Sequence, residues 1–255
     1  MSPQIITITS YNIHKGMSAF NRSVQINTIA AALKELHADL VFLQEVQGMH
    51  QKKNSKHKSY PFYPQDEIIA RALDCYNSYG KNASFKKRHH GNAIVSTLPI
   101  YLKNNLNIST NTFEKRGMLH CQVDPTGWNI PLECLCAHLN LLEQDRQKQY
   151  DKIFNYINYC IDRTHPLILA GDFNDWSGKS YRLLEGLNLK EAFIEYQGFS
   201  PKTFPSTMPL LRLDRIFTRY LIVQEAVTHD KSPWDKLSDH LPISATSVSY
   251  THLRA

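Results

Sequence analysis

The sequence has no run of apolar residues that approaches the roughly 18 consecutive positions of a membrane-spanning helix. It contains no internal repeat, no low-complexity tract and no Pro/Gly/Ser-rich linker. The opening Met1-Ser2-Pro3-Gln4 leads into a strand-like run without the basic and apolar stretches of a signal peptide. We therefore expect a single domain over residues 1–255, with a core from about 5 to 248, in a cytoplasmic protein without a transmembrane segment.

Cysteine is scarce, and charge of one sign is only in modest excess. The five cysteines form no CxxC or other zinc-like spacing, and Cys134 and Cys136 alternate with leucines as buried strand positions do. This pattern predicts reduced core thiols. The net charge of +6 favours anionic partners such as nucleic acid, phosphorylated metabolites or acidic lipid, but it names no reaction.

Hydrophobic patterning predicts many strands and a few well-separated helices. Strands are predicted at 5–12, 40–45, 93–96, 101–108, 118–123, 130–139, 167–170, 213–218, 221–227 and 243–249. Helices are predicted at 24–36, with Ser23 as the N-cap, and at 66–73, 143–162 and 181–187, and a polar loop at 47–60. Such a chain is expected to form an α/β fold of two packed mixed sheets with helices outside.

Polar residues of catalytic type lie at or next to several of these strands. They are Asn12, Glu45, His138, Asp172, Asn174, Asp214, Asp239 and His240. A carboxylate or amide at a strand end is held rigidly while its tip faces a cleft, as metal binding and phosphoryl transfer require. A single residue of this kind is more often a turn residue or helix cap, so the prediction depends on the combination.

These residues belong to short motifs that occur in a fixed order. The motifs are SYNIH (10–14), LQEV (43–46), GNAI (91–94), RG (116–117), AHL (137–139), GDFN (171–174), LDRIF (213–217) and SDH (238–240). The series resembles the endonuclease/exonuclease/phosphatase superfamily, which includes deoxyribonuclease I, AP endonucleases, neutral sphingomyelinases and inositol polyphosphate 5-phosphatases. The chain is most similar to its small single-domain bacterial members. The resemblance implies a four-layer α/β sandwich and metal-assisted hydrolysis of a phosphate ester.

By this resemblance, Glu45 is the main ligand of a Mg²⁺ ion, with Mn²⁺ as an alternative, and Asp239 lies near the ion or the catalytic histidine. Hard oxygen ligands are those that Mg²⁺ prefers. Asp214 and His240 are expected to form a dyad, in which the carboxylate accepts an imidazole N–H and favours the protonated ring.

The resemblance also implies how the other polar residues act. Asp172 is expected to hold or deprotonate the attacking water, while Asn174 and Asn12 orient groups by hydrogen bonds. His138 is shared with the deoxyribonuclease I branch, and it would donate to the phosphate or protonate the leaving oxygen. The alternative for His138 is a core histidine that ends a strand.

Two further residues are candidate phosphate contacts. Arg116 would form a bidentate pair with phosphate or, alternatively, a structural salt bridge, and Asn92 is the second candidate. The chain also departs from two branches of the family. His14 stands where AP endonucleases carry a carboxylate, which weakens the case for a second metal, and we expect it to neighbour the site. Arg212-Leu213 precedes Asp214 where 5-phosphatases carry a Trp.

The favoured function is a metal-dependent phosphodiesterase of nuclease type that acts on nucleic acid. The alternative is a phosphoesterase directed at phospholipid or inositol phosphate, peripheral to a membrane. The lysine-rich segment 51–58 meets anionic substrate or only solvent. Trp176 and Phe204 stack on a base or line a lipid-facing rim. A catalytically silent phosphate-binding protein is disfavoured, because the predicted metal ligand, water-binding carboxylate and dyad are all present.

Overall fold

Two mixed β-sheets form the centre of the protein in the computed structural model, which describes residues 5–50, 60–86, 88–179 and 184–249. The strands are β1 (Ile5–Asn12), β2 (Leu40–His50), β3 (Tyr76–Phe85), β4 (Arg88–Ser96), β5 (Ile100–Asn107), β6 (Gly117–Val123), β7 (Leu132–His138), β8 (Leu167–Asp172), β9 (Lys190–Glu191), β10 (Asp214–Arg219), β11 (Leu221–Thr228) and β12 (Ile243–Ser249). The first sheet has six strands in the order β11-β12-β1-β2-β4-β3, and the second has six in the order β5-β6-β7-β8-β10-β9.

Helices pack against both sheets, mostly on their outer faces. They are α1 (Ile26–Lys34), α2 (Gln65–Leu73), α3 (Glu143–Cys160), α4 (Ala192–Gln197) and α5 (Trp234–Leu237). The apolar faces of α1, α2 and α5 pack on the first sheet, and α3 packs on the second. A third apolar cluster, with Phe42 and Ile94 from one sheet and Cys134 and Ile168 from the other, fills the space between the sheets. The predicted four-layer α/β sandwich is confirmed.

Each sheet contains one parallel pair of strands among antiparallel neighbours. β1 pairs in parallel with β2 in the first sheet, and β7 pairs in parallel with β8 in the second. β1 packs against β8 and β2 against β7 across the interface between the sheets. The carboxyl ends of these four strands therefore meet, and parallel pairs bring polar groups from strand ends to one edge of each sheet.

The prediction that the second strand ends at Glu45 is wrong, because β2 continues to His50. The register of β2 against β4 shifts between Leu43 and Val46, and Glu45 has a left-handed φ of 56°. An extra residue of this kind is a β-bulge, which turns a side chain away from the regular alternation of the strand. The carboxylate is thus placed by a bulge within the strand.

Other boundaries differ in smaller ways. Ser23 does not cap α1, because the helix begins at Ile26 after Gln25, without a side-chain cap. The patterning missed β3, an edge strand rich in Asn, Ser and Gly, and it missed the short helices α4 and α5. In the described part of the predicted helix 181–187, Leu184 is helical and a 3-10 turn follows at Glu185–Leu187. Of the predicted loop 47–60, residues 47–50 instead belong to β2, and residues 51–59, with the lysine-rich segment 51–58, lie outside the described residues.

The cysteines are free thiols. Cys121, Cys134 and Cys136 are buried on β6 and β7, as a core position requires, whereas Cys160 is exposed at the end of α3. Among the described helices, none combines the length and apolar character that a bilayer crossing would need.

Candidate active site

Three neighbouring strands of the second sheet carry one row of polar side chains. His138 pairs in register with Asp172, and Asp172 pairs in register with Asp214. Cross-strand partners point to the same face of a sheet, so these groups lie side by side at the ends of β7 and β8 and the beginning of β10. The register therefore explains why residues 34 or more positions apart in the sequence meet.

Asp172 is the centre of the row. Its Oδ2 accepts a hydrogen bond from the Asn12 side-chain amide at 3.0 Å, and its Oδ1 accepts one from the Asn174 backbone N–H at 3.0 Å. The Nε2 atoms of His138 and His240 lie 3.4 Å and 3.7 Å from Oδ2. Burial raises the pKa of Asp172 and the charge of Asp214 raises it further, against the opposing effect of His240.

His240 and Asp214 form the predicted pair. The imidazole Nδ1 lies 2.9 Å from the Asp214 Oδ2, and the Thr203 hydroxyl donates to the same oxygen at 2.5 Å. Burial alone would lower the pKa of His240, but the carboxylates of Asp214 and Asp172 raise it well above its usual range. The ring is therefore protonated at neutral pH, with its Nε2–H directed toward Asp172.

Arg116 fixes the state of His138. The Arg116 Nη1 lies 3.2 Å from the His138 Nδ1, and a guanidinium can only donate. The imidazole Nδ1 must then accept, which leaves the proton on Nε2. Burial and the charge of Arg116 both lower the pKa of His138, so the ring is neutral. Arg116 also pairs with Glu114 at 3.4 Å, and the structure thus gives it both a salt bridge and a place in the cleft wall.

Glu45 points from its bulge toward the cleft and contacts Lys15, whose Nζ lies 2.8 Å from Oε2. Burial would raise the pKa of Glu45, but the charge of Lys15 and its hydrogen bond to the carboxylate hold it well below its usual range. The carboxylate is therefore ionised at neutral pH. A negative charge in this position attracts a cation.

Asp239 lines the same cleft, and its side chain contacts the imidazole of His14. The Asp239 Oδ2 is 3.0 Å from the His14 Nδ1. The side chain of Asn12 accepts a hydrogen bond from the His14 backbone N–H at 3.1 Å, while its amide group binds Asp172. Asn12 thus joins the carboxyl ends of the two sheets and holds the His14 turn in place.

Asn92, predicted as a phosphate contact, is not among the residues that line the cleft. Its side chain is 0% exposed. The amide nitrogen donates to the backbone carbonyls of Gly117 and Cys136 at 2.9 and 3.0 Å. Since β4 belongs to one sheet and β6 and β7 to the other, Asn92 ties the sheets together behind the bulge.

The remaining site residues surround one cleft of about 450 Å³. Its walls are formed by Asn12, Glu45, Arg116, His138, Leu141, Asp172, Asn174, Trp176, Phe204, Leu211, Leu213, Asp239 and His240. Asp214 lies directly behind His240. Asn174 is oriented by a hydrogen bond to the Leu139 carbonyl at 3.0 Å. The Phe204 ring lies 5.0 Å from the His240 ring, centroid to centroid.

The donor set of the cleft fits a hard divalent cation. The Glu45 and Asp239 carboxylates and the Asn12 amide all face it, and oxygen ligands of this kind suit Mg²⁺ or Mn²⁺. Asp172, Asp214 and His240 form a second group with ligand atoms within 4.8 Å of one another. In that group His240 and Thr203 bond the Asp214 Oδ2, and the ligand that the family resemblance implies is Glu45, which we therefore take as the centre for an ion.

Sequence reasoning missed two residues of the site. Thr203 contacts the Asp214 carboxylate, but a threonine in a long loop carries no signal of its own. Lys15 contacts Glu45. The sequence feature that could have indicated Lys15 is its position beside a glycine, immediately after the motif that contains Asn12.

The fold defines the class of protein: two mixed sheets with helices outside and a polar cleft at the strand ends are a deoxyribonuclease I-like sandwich. A model of the endonuclease/exonuclease/phosphatase family matches residues 9–240, and the chain belongs to this family. The uncharacterized protein YbhP of Escherichia coli K12 is 36% identical over 239 residues, which are 93% of this chain and 94% of YbhP.

Solved structures agree on the fold. An endonuclease/exonuclease/phosphatase family protein from Leptotrichia buccalis has a TM-score of 0.73 at 21% identity, covering 94% of this chain and 98% of that one. D. rerio TDP2, in a complex with a single-strand DNA product, has a TM-score of 0.68 at 18% identity, covering 96% of this chain and 100% of that one. At these identities the likeness concerns the fold alone.

Proposed function

We propose that this protein is a divalent-metal-dependent phosphodiesterase that hydrolyses its substrate by in-line attack of an activated water. The observation that carries the proposal is the environment of Asp172. A buried carboxylate with a raised pKa, adjacent to a protonated imidazole and facing a cleft, has the properties of a general base. Asp172 would accept the proton of the water, which Asn174 helps to position.

The cationic and donor groups around Asp172 complement a phosphoryl group. His240, kept protonated by Asp214, would donate its Nε2–H to a phosphoryl oxygen as charge builds there. His138 would donate as a neutral imidazole, which favours hydrogen bonding to phosphate over protonation of the leaving oxygen. Arg116 lines the same wall and would add a charge-assisted hydrogen bond.

A divalent ion bound at Glu45, with Asp239 and Asn12 nearby, would supply further neutralisation of the phosphoryl oxygens. The protein's own contribution is to hold these oxygens in a rigid arrangement. Glu45 is fixed by the bulge in β2, and Asn12 is fixed by its bonds to Asp172 and the His14 turn. Removal of the ion with a chelator should leave the fold intact and abolish turnover.

Nucleic acid is the substrate that we favour. The net charge of +6 attracts a polyanion, and the structurally similar D. rerio TDP2 was solved with a single-strand DNA product. Trp176 is exposed at the mouth of the cleft, where a base can stack on its ring.

An apolar rim around the cleft supports a second candidate. Leu141 and Trp176 line the cleft and are largely exposed, and Leu210 is exposed beside the cleft residue Leu211. A rim of this kind would also suit a phospholipid presented at a membrane surface. This alternative predicts turnover of phosphodiesters in anionic vesicles and little turnover of DNA.

Hydrolysis of bis(p-nitrophenyl) phosphate tests the proposed chemistry. Turnover should disappear in EDTA and return with Mg²⁺ or Mn²⁺, and the Asp172→Asn variant should stay inactive under both conditions. Activity that persists in the chelator would refute the metal assignment. A panel of single-stranded DNA, plasmid, RNA, phosphatidylglycerol vesicles and inositol phosphates, each run with the Asp172→Asn control, then separates the two substrate classes.

A further inference from the structure

The turn that follows β1 has an unusual backbone. His14, Lys15 and Gly16 have successive positive φ values of 45°, 56° and 64°. Residues other than glycine rarely adopt this left-handed region, and each such residue costs of order 1 kcal/mol. Two in succession persist only where the surrounding structure fixes them, and strain of this kind concentrates at functional sites.

Gln65 fixes this turn from the beginning of α2. Its buried side-chain amide donates to the Lys15 carbonyl at 2.8 Å, and its Oε1 accepts from the Gln47 backbone N–H at 2.8 Å. A Cβ at Gly16 would lie 2.4 Å from the Gln65 Nε2, so that position requires glycine. The Gly16 carbonyl also accepts from the Gln25 N–H at 2.8 Å.

The result of this arrangement is the contact between Lys15 and Glu45. Glu45 is itself turned toward the cleft by the left-handed bulge in β2, so both partners reach the contact from an uncommon backbone conformation. The side chain of Glu45 is 18% exposed and that of Lys15 is 35% exposed. The ammonium is thus at the solvent side of the carboxylate, on a flexible stem that can swing away.

We propose that the Lys15 ammonium is a resident counter-ion of Glu45 that an incoming divalent ion displaces, and that the displaced ammonium then binds a phosphoryl oxygen of the substrate. This inference rests on the proposed function, because it takes Glu45 as the metal ligand. An ammonium and a divalent ion cannot share one carboxylate oxygen without strong repulsion. Lys15 therefore weakens metal binding in the free protein.

A consequence is that metal and phosphate bind cooperatively. A phosphate in the cleft draws the ammonium away from Glu45, which removes the competitor of the ion. Since coupling between two ligands is reciprocal, the bound ion must in turn release Lys15 and tighten the binding of phosphate. The lysine would keep the cleft neutral between turnovers and favour the ion when a substrate is present.

The first experiment measures Mn²⁺ binding by electron paramagnetic resonance, without substrate and without turnover. Lys15→Met should lower the Kd for Mn²⁺ about tenfold, the size of a charge-assisted hydrogen bond, whereas Lys15→Arg should stay close to the unmutated protein. Lys190→Met is the matched control. It removes a lysine from another Lys–Glu pair, with Glu195, beside β9, and should leave the Kd unchanged.

The same titration is repeated with diethyl phosphate, an unreactive diester. It should tighten Mn²⁺ binding about fivefold in the unmutated protein and much less in Lys15→Met. Lysine side-chain NMR gives a second readout, in which the response to the metal is measured on the unmutated protein and a variant is used only for assignment. One ammonium resonance, assigned by its absence in Lys15→Met, should move with Mg²⁺ at the midpoint of metal binding.

The outcomes separate this inference from the proposed function. If neither the unmutated protein nor Lys15→Met binds Mn²⁺, or if Glu45→Gln binds it as well as the unmutated protein, the metal site is wrong and this inference fails with it. If binding requires Glu45 but Lys15→Met leaves the Kd unchanged or raises it, only the role of Lys15 is refuted. A Lys15 resonance that does not respond to Mg²⁺ has the same meaning.

Discussion

Two clusters, one near each end of β7, contain a buried carboxylate with two imidazoles beside it. They differ in the distances between the carboxylate oxygens and the imidazole nitrogens. Near the beginning of β7, Glu133 oxygens lie 2.7 Å from nitrogen atoms of both His120 and His165. Near its end, the Asp172 Oδ2 lies at the longer distances of 3.4 and 3.7 Å from two imidazoles. We call the cluster of Glu133 with His120 and His165 the closed cluster, and that of Asp172 with His138 and His240 the open cluster.

In the closed cluster, both oxygens of the Glu133 carboxylate are hydrogen-bonded to neighbouring side chains. Gln122 also donates to Glu133 at 2.7 Å, and the Tyr156 hydroxyl bonds the other nitrogen of His120 at 2.9 Å. Burial would raise the pKa of Glu133, but these hydrogen bonds lower it. Asp172 has a raised pKa and faces a cleft. The comparison indicates that a carboxylate with a lowered pKa inside a closed hydrogen-bonded cluster has a structural role, whereas a carboxylate with a raised pKa at a cleft has a reactive one.

The largest expected effect is on turnover in the open cluster. Asp172→Asn, Asp214→Asn and His240→Ala should each lower turnover by at least about 100-fold, because each removes a group needed for proton transfer or charge stabilisation. Hydrolysis of bis(p-nitrophenyl) phosphate under saturating Mg²⁺ measures the loss. Near-normal turnover in Asp214→Asn would remove the dyad of Asp214 and His240 from the proposed mechanism. It would also weaken the distinction between a reactive and a structural cluster.

The matching change in the closed cluster should act on stability. Glu133→Gln removes the charge from three short hydrogen bonds and should lower the free energy of unfolding by about 2 kcal/mol. Urea denaturation at pH 7 measures this quantity, and turnover below the transition should remain within about twofold of the unmutated protein. A large loss of turnover without a loss of stability would mean that the Glu133 cluster is not structural.

The difference in free energy of unfolding between the unmutated protein and Glu133→Gln should depend on pH. Because the pKa of Glu133 is lower in the folded than in the unfolded state, its stabilisation is fully present above the unfolded pKa of about 4.3. It is lost as the pH falls through the folded pKa. The stability difference between the unmutated protein and Glu133→Gln should therefore shrink from pH 6 toward pH 3 in urea titrations. A constant difference would show that the charge of Glu133 does not contribute.

A smaller effect is expected from Thr203, which supports the open cluster from behind. Thr203→Val removes the hydroxyl that donates to Asp214 at 2.5 Å while keeping the shape of the side chain. Turnover should fall about tenfold, since a charge-assisted hydrogen bond holds the carboxylate that orients His240. A fall in kcat with an unchanged KM is the expected pattern. Thr203→Ser, which keeps the hydroxyl, should restore most of the rate.

Much of the fold was predictable because apolar alternation is strong in the buried strands. β1, β8 and β12 are continuous apolar runs or clear alternations, and the sandwich follows from their number. β3 was not predictable, because an edge strand exposes much of its surface and tolerates Asn, Ser and Gly. The bulge in β2 also left no trace, since Glu45 is a plausible end for a strand whichever way its backbone turns.

The site was predictable only where a motif fixed both residue and order. Motifs of this kind predicted Asp172, Asp214 and His240, of which Asp172 and His240 line the cleft and Asp214 bonds His240. Asn92 belongs to such a motif but is turned into the interface between the sheets, and no pattern in one sequence distinguishes that from a cleft position. Lys15 and Thr203 act through contacts that depend on a left-handed turn and a long loop. Their roles follow from three-dimensional distances and not from spacing.

The smallest predicted effect tests how tightly the closed cluster is bonded at its edge. Tyr156→Phe removes only the hydroxyl that bonds His120 at 2.9 Å and keeps the ring, which meets the imidazole edge-on at 5.6 Å between centroids. The free energy of unfolding should fall by about 1 kcal/mol, with no change in turnover. Tyr156 and Glu133 bond the two nitrogens of the same His120 ring, so the effects of Tyr156→Phe and Glu133→Gln on stability should be non-additive. A double-mutant cycle in urea measures this coupling. Additive effects would mean that the tyrosine acts independently of the carboxylate, and that the cluster is less cooperative than its distances indicate.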